Sequence, residues 1–148
     1  MPLEAVAAGA AGAAALTLVH ETVRRVRDDA PRMDVLGERA IAGGLRAAGV
    51  EPPAEPNLHT AALAGDLVLN TAYYALVGIG GAEGAVTRGA LLGLAAGVGA
   101  VYLPGPLGLG TAPSRRTPRT AAMTVAWYTL GGLAAGAVYR GLCACRAG

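Results

Sequence analysis

The stretch LHTAALAGDLVLNTAYYALVGI, residues 58–79, decides how the chain reads. It is long enough to cross a bilayer as one helix, yet His59, Asp66, Asn70, Tyr73 and Tyr74 interrupt its apolar run. Positions 59, 62, 66, 70 and 73 follow three- and four-residue steps, so on a helix His59, Asp66, Asn70 and Tyr73 share one stripe. Such a stripe is expected to turn away from lipid and toward other helices. At the centre of a span an Asp costs about 2.5–3.5 kcal/mol, whereas each Leu, Ile or Val returns roughly 0.3–0.6. Leu58, Leu63, Leu67, Val68, Leu69, Leu76, Val77 and Ile79 then supply on the order of 2–5 kcal/mol, which Asp66, Asn70 and His59 nearly cancel. Alone, this helix is a marginal inserter, and it needs neighbours that hydrogen-bond its stripe.

The rest of the chain has the composition of spans and loops. Charged residues are 15% of it, against about 25% in ordinary soluble domains. They are also bunched: residues 21–55 carry thirteen charges and residues 120–139 carry none. A net charge of +2, without a basic stripe interleaved with aromatics, argues against a nucleic-acid partner. Every basic residue is Arg, so no Lys is present for Schiff-base chemistry. Cys143 and Cys145, two residues apart at the C-terminal end, match neither a disulfide framework nor a C-x-x-C redox pair; they read as small residues of a frayed tail or, as the alternative, as thiols for a soft metal or thiol exchange.

Working outward, the sequence predicts an all-α, four-span transmembrane helix bundle, one membrane domain over residues 1–148. The spans fall at about 2–23, 58–79, 85–103 and 119–139, with a cytoplasmic amphipathic surface helix at about 30–49 after the first span. In that surface helix Met33, Leu36, Ala40, Ile41, Leu45 and Ala48 recur at helical spacing, and Gly49 and Pro52-Pro53 end it. Thr117-Pro118 reads as a cap and first-turn proline opening the last span. Ala5, Gly9 and Ala13 give the first span a small face. Gly89, Gly93 and Gly97 give one to the third, and Gly132 and Gly136 to the fourth. These glycines are expected to serve helix packing, against the polar second span or between two copies of the chain in a homo-oligomer.

Arginines set the expected orientation. Arg24, Arg25, Arg27, Arg32, Arg39 and Arg46 lie in the first loop, and Arg115, Arg116 and Arg119 in the third. Only Arg88, Arg140 and Arg146 lie on the other side, which places both termini outside by the positive-inside rule. Arg115, Arg116 and Arg119 are candidate contacts for lipid headgroups.

Several of these residues together resemble a group of small uncharacterised bacterial integral membrane proteins. They are His20-Glu21 with Arg24, Asp29-Ala30-Pro31-Arg32-Met33-Asp34, Asp66, Asn70, Tyr73-Tyr74, and Leu103-Pro104 with Leu107-Gly108-Leu109. The resemblance covers nearly the whole chain. It implies a four-helix architecture in a bacterial membrane, here the inner one, and brings no activity with it.

Two candidate sites follow from the residues. Asp66, with Asn70 and a phenol from Tyr73 or Tyr74, is either interhelical glue or a carboxyl that carries a proton or binds a cation. His20, Glu21 and His59 are expected at similar depth on antiparallel spans, a His/His/Glu set for a metal. The plainer reading pairs Glu21 with Arg24 or Arg25 and leaves both imidazoles at the interface, since no H-E-x-x-H is present. No cofactor is otherwise expected. The leading expectation is a non-enzymatic structural, accessory, lipid-binding or partner-binding membrane protein. An ion- or proton-coupled transporter or channel using Asp66 comes second, and a membrane-embedded metal site third.

Overall fold

The computed structural model describes residues 3–147, and among them every regular element is helical. The helices are α1 Leu3–Val23, α2 Met33–Ala47, α3 Glu55–Tyr74, α4 Ala85–Tyr102, α5 Ala112–Arg115 and α6 Pro118–Ala147; a 3₁₀ turn, Ala75–Gly78, continues α3. Pro2, the expected start of the first span, lies outside the described residues.

Three helices are long and apolar enough to cross a membrane: Leu3–Val23, Ala85–Tyr102 and Pro118–Arg146. On that measure the expected four spans become three. The helix that drops out is α3, because His59, Asp66, Asn70 and the two tyrosines dilute its apolar run and its α-helical part stops at Tyr74. A second correction concerns the C-terminal end. Cys143 and Cys145 belong to the last turns of α6, which runs on well beyond Tyr139, and both are free thiols.

Local signals explain the borders. Gly49, at φ +75°, closes α2 in a Schellman arrangement in which the Val50 amide donates to the Leu45 carbonyl at 2.9 Å and the Gly49 amide to the Arg46 carbonyl at 3.0 Å. At the start of α6 the Thr120 amide donates to Thr117 Oγ1 at 3.0 Å, with Pro118 as the first helical residue.

The helices stand side by side in the order α4, α6, α1, α3, α2, so that each packs on the next. Tight seams form where small residues face one another. A Cβ on Gly12 of α1 would lie 2.6 Å from the Gly131 carbonyl of α6, and one on Gly97 of α4 would lie 2.7 Å from the Val125 Cα. Gly89, Gly93, Gly132 and Gly136 are closer still to backbone of the facing helix. The glycine stripes of the third and fourth expected spans therefore meet each other. They do not receive the polar face of α3, and within one chain they are already covered.

On one end of the bundle, the α1–α2 loop joins the segment before α6. The Arg32 amide donates to the Pro113 carbonyl at 2.8 Å, Thr120 Oγ1 donates to the Asp29 carbonyl at 2.9 Å, and Arg116 donates to the Asp28 carbonyl. Both arginine-rich loops thus share this face.

Candidate functional site

Because α3 packs on α1 and α2 but scarcely on α4, a cleft remains between α3 and α4. It forms a groove of about 460 Å³. Met33 and Leu36 of α2, Ala96 and Ala100 of α4, and Leu107 and Leu109 of the following loop line it. Its polar groups come from Asp66, Tyr73 and Tyr128, and no basic side chain lines it. Tyr73 spans the cleft, its hydroxyl donating to the Leu92 carbonyl of α4 at 2.9 Å.

Asp66 also lines a second space. On the α1 side, Thr17, His20, Ala62, Leu63, Met33, Glu21 and Asp34 enclose with it a chamber of about 30 Å³. His20 is 8% exposed, with its ring edge-on to Trp127 at 5.0 Å and to Tyr128 at 5.9 Å between centroids. Its Nε2 and the Thr17 Oγ1 are buried without a protein hydrogen-bond partner. A space of that size holds at least one water, which such groups are suited to bind.

The helical stripe is divided among neighbours. Asn70 Nδ2 donates to Asp66 Oδ1 at 2.9 Å along α3 itself. Tyr74, fully buried, donates to the Tyr128 carbonyl of α6 at 2.7 Å. His59 lies about two turns before Asp66 and pairs through Nδ1 with Glu38 Oε1 of α2 at 2.7 Å. The outward side of α3 carries Leu63, Leu67, Val68 and Leu69, each more than a third exposed.

His20, Glu21 and His59 are not brought together. Glu21 is held by Arg24 in a fork of 2.6 and 2.9 Å, and α2 inserts Asp34 and Glu38 beside His59. The ligand atoms of Asp34, Glu38 and His59 lie within 4.8 Å of one another. Asp34, however, already receives Arg32 at 2.8 and 2.9 Å, with Arg24 at 3.5 Å. Burial opposes its charge, but the Arg32 fork, the Val35 amide and the two guanidinium charges outweigh it and hold the carboxyl below its ordinary 3.8. A cation would have to displace a guanidinium, and the group instead ties α2 to α3 through the Glu38–His59 hydrogen bond.

The three arginines considered for lipid headgroups are all exposed and all engaged within the chain. Arg115 lies over the Tyr102 ring at 5.5 Å, Arg116 donates to the Asp28 carbonyl, and Arg119 pairs with Asp29 at 3.8 Å.

The sequence reading missed Thr17, Asp34, Glu38 and Tyr128 as site residues. For Thr17 a signal existed: it sits three residues before His20, on the same helical face, opposite the helix that carries Asp66. Asp34 and Glu38 stand four apart, one face of α2, yet nothing in their spacing names α3 as the neighbour. Compared with family models, with curated proteins and with solved structures, the chain matches none.

Proposed function

We propose that this is a small, non-enzymatic, multi-pass protein of the bacterial inner membrane that holds a hydrophobic amine in the groove between α3 and α4. The observation that carries the reading is a groove of about 460 Å³ whose walls are apolar, whose one ionisable acid is Asp66, and which no basic side chain enters. That size lies within the usual range for small-molecule sites of about 300–1,000 Å³. A lone carboxyl in an apolar wall selects a positively charged or hydrogen-bond-donating head, and the alanines and leucines accept an apolar body.

In this reading α3 is the fourth span. Its exposed side is Leu63, Leu67, Val68 and Leu69, while Asn70 and Tyr74 are buried, the reverse of a helix at a water-facing surface. Neighbouring helices supply partners for His59, Tyr73 and Tyr74, while Asp66 and Asn70 satisfy each other, which eases the cost for a marginal inserter. The shared arginine-rich face then lies on the cytoplasmic side against anionic headgroups, with both termini outside.

The test uses purified protein in nanodiscs and a fluorescent long-chain alkylamine. Saturable binding is expected for wild type. It should be lost in Gly99→Trp, which fills the groove at a position whose Cβ would meet only Leu103 Cδ1, at 3.4 Å. It should weaken about ten-fold or more in Asp66→Asn, the scale of a charge-assisted hydrogen bond. Equal, non-saturable partitioning into nanodiscs carrying wild type or either variant overturns the reading.

A further inference from the structure

Asp66 is the one ionisable residue that lines both the groove and the small chamber beside α1. Two of the residues that line the chamber carry a buried, unpartnered polar atom, Thr17 Oγ1 and His20 Nε2, and His20 as a whole is more than nine-tenths buried. An unmade hydrogen bond at a buried polar group is costly, so two such groups on residues that line a space large enough for water point to a bound water there. The chamber does not end at these atoms. Glu21 and Asp34 form its outer wall, and both reach the arginine-rich face, where Arg24 and Arg32 hold them.

We propose that Thr17, His20 and Asp66 form a proton-access site, in which a chamber water links the Asp66 carboxyl to His20 and so to the arginine-rich face of the protein. The transfer balances without any other reactant. The Asp66 O–H bond breaks and its proton passes to the water, the water releases a different proton to His20 Nε2, and Asp66 is left as carboxylate and His20 as imidazolium. The proton then leaves His20 for solvent by way of Glu21 or Asp34, and the reverse path reloads Asp66.

Groups that face Asp66 from each packed element are few. From α1 they are His20 and Glu21, from α2 Asp34 with its Arg32 and Arg24 partners, and from α6 Tyr128. Tyr73, which lines the groove on α3 itself, is committed to the Leu92 carbonyl. No charged side chain of α4 lines either space. Glu21 and Asp34 are taken up by arginines, whereas His20 carries a buried nitrogen, Nε2, with no partner, and as the Nδ1–H tautomer it accepts a proton there. This inference shares Asp66 with the groove reading but requires no groove ligand.

The experiment is infrared spectroscopy of the protein in nanodiscs, following the carboxylic acid band that Asp66→Asn removes, across about pH 5 to pH 9, a span that brackets a carboxyl perturbed by burial. Wild type should show that band at the acid end, and it should shift promptly on transfer to heavy water. Thr17→Val keeps the shape of the side chain, and His20→Phe keeps a buried ring. His20→Phe should slow the shift by about a hundred-fold, the lower end for loss of a positioned proton-transfer group, and Thr17→Val, which loses a hydroxyl that holds the water, by about ten-fold. Arg119→Gln, which lines neither the groove nor the chamber, should leave it unchanged. Wild-type exchange in Thr17→Val overturns the proposal even if His20→Phe fails to fold. So does slowing by Gly99→Trp alone, which would bring the proton in through the groove, and so does absence of the acid band across the range. Loss of alkylamine binding with exchange intact counts against the groove reading only.

Discussion

The α4–α6 seam and the α3–α4 cleft share one helix and end differently. Along the seam, Gly89 and Gly93 of α4 face Gly132 and Gly136 of α6 so closely that a Cβ at any of them would overlap backbone. Across the cleft, α4 presents Ala96, Gly99 and Ala100, and α3 answers with Asp66 and Tyr73. Small residues on both partners let backbones meet, which favours van der Waals contact where no hydrophobic drive exists between helices in lipid. A tyrosine on one partner holds the two helices apart and fixes the gap with one hydrogen bond. Closure depends on both faces, and the open cleft follows from the side chains of α3.

The largest expected effect breaks the seam. Gly132→Leu should destabilise the protein by about 3 kcal/mol or more, beyond ordinary overpacking, because the neighbour is the Gly89 carbonyl and not a side chain that can swing aside. The same residue in the cleft makes the contrast: Gly99→Leu should stay within about 1 kcal/mol of wild type. Thermal unfolding in mild detergent checks both, and equal losses would show that seam and cleft do not differ in packing.

Next comes the tie between α3 and α6. Tyr74→Phe removes a buried donor and leaves the Tyr128 carbonyl without it, a loss of about 1 kcal/mol. Tyr73→Phe, at a half-buried hydroxyl on the cleft side, should lose less and should widen the groove. Comparing midpoints for the two variants measures how far the tyrosines differ as struts.

A smaller effect distinguishes the arginine-rich end by pH. The Asp34 carboxyl is held below its ordinary 3.8, so the folded state binds its proton more weakly than the unfolded chain does. Its contribution is present above that value and is lost as pH falls through the lower, folded one. Wild type should therefore lose stability relative to Asp34→Asn on acidification below about pH 4. A gap between the two that is constant across pH would mean that the Arg32 fork does not act through charge.

Least affected should be Arg119→Gln. Its side chain is 70% exposed and its pair with Asp29 spans 3.8 Å, so a shift below about 0.5 kcal/mol is expected, checked by the same unfolding assay.

Much of this architecture was legible because it is local. Gly49 and Pro118 mark helix ends through backbone geometry that no distant contact alters, and the bunched charges separate loops from apolar helices. The stripe of His59, Asp66, Asn70 and Tyr73 was readable as a face, since helical spacing alone defines one. Its partners were not. The expectation joined His20 to His59 by counting depth from helix ends, but α3 begins at Glu55 and runs alongside α2 first, so that Asp66 comes level with Thr17 and His20 while His59 meets Glu38.

By itself, the sequence determined an all-helical chain with apolar membrane-length helices, small-residue faces for close packing, and one helix whose polar side must find partners. Periodicity assigns each helix its faces, and that much is a property of residues a few positions apart. Only the tertiary structure decided which faces meet. Glycine stripes on α1, α4 and α6 are similar locally, and the choice among them depends on all the helices packing at once. That choice pairs α4 with α6, leaves the cleft beside α3 open, and sets Asp66 between the groove and the chamber of His20.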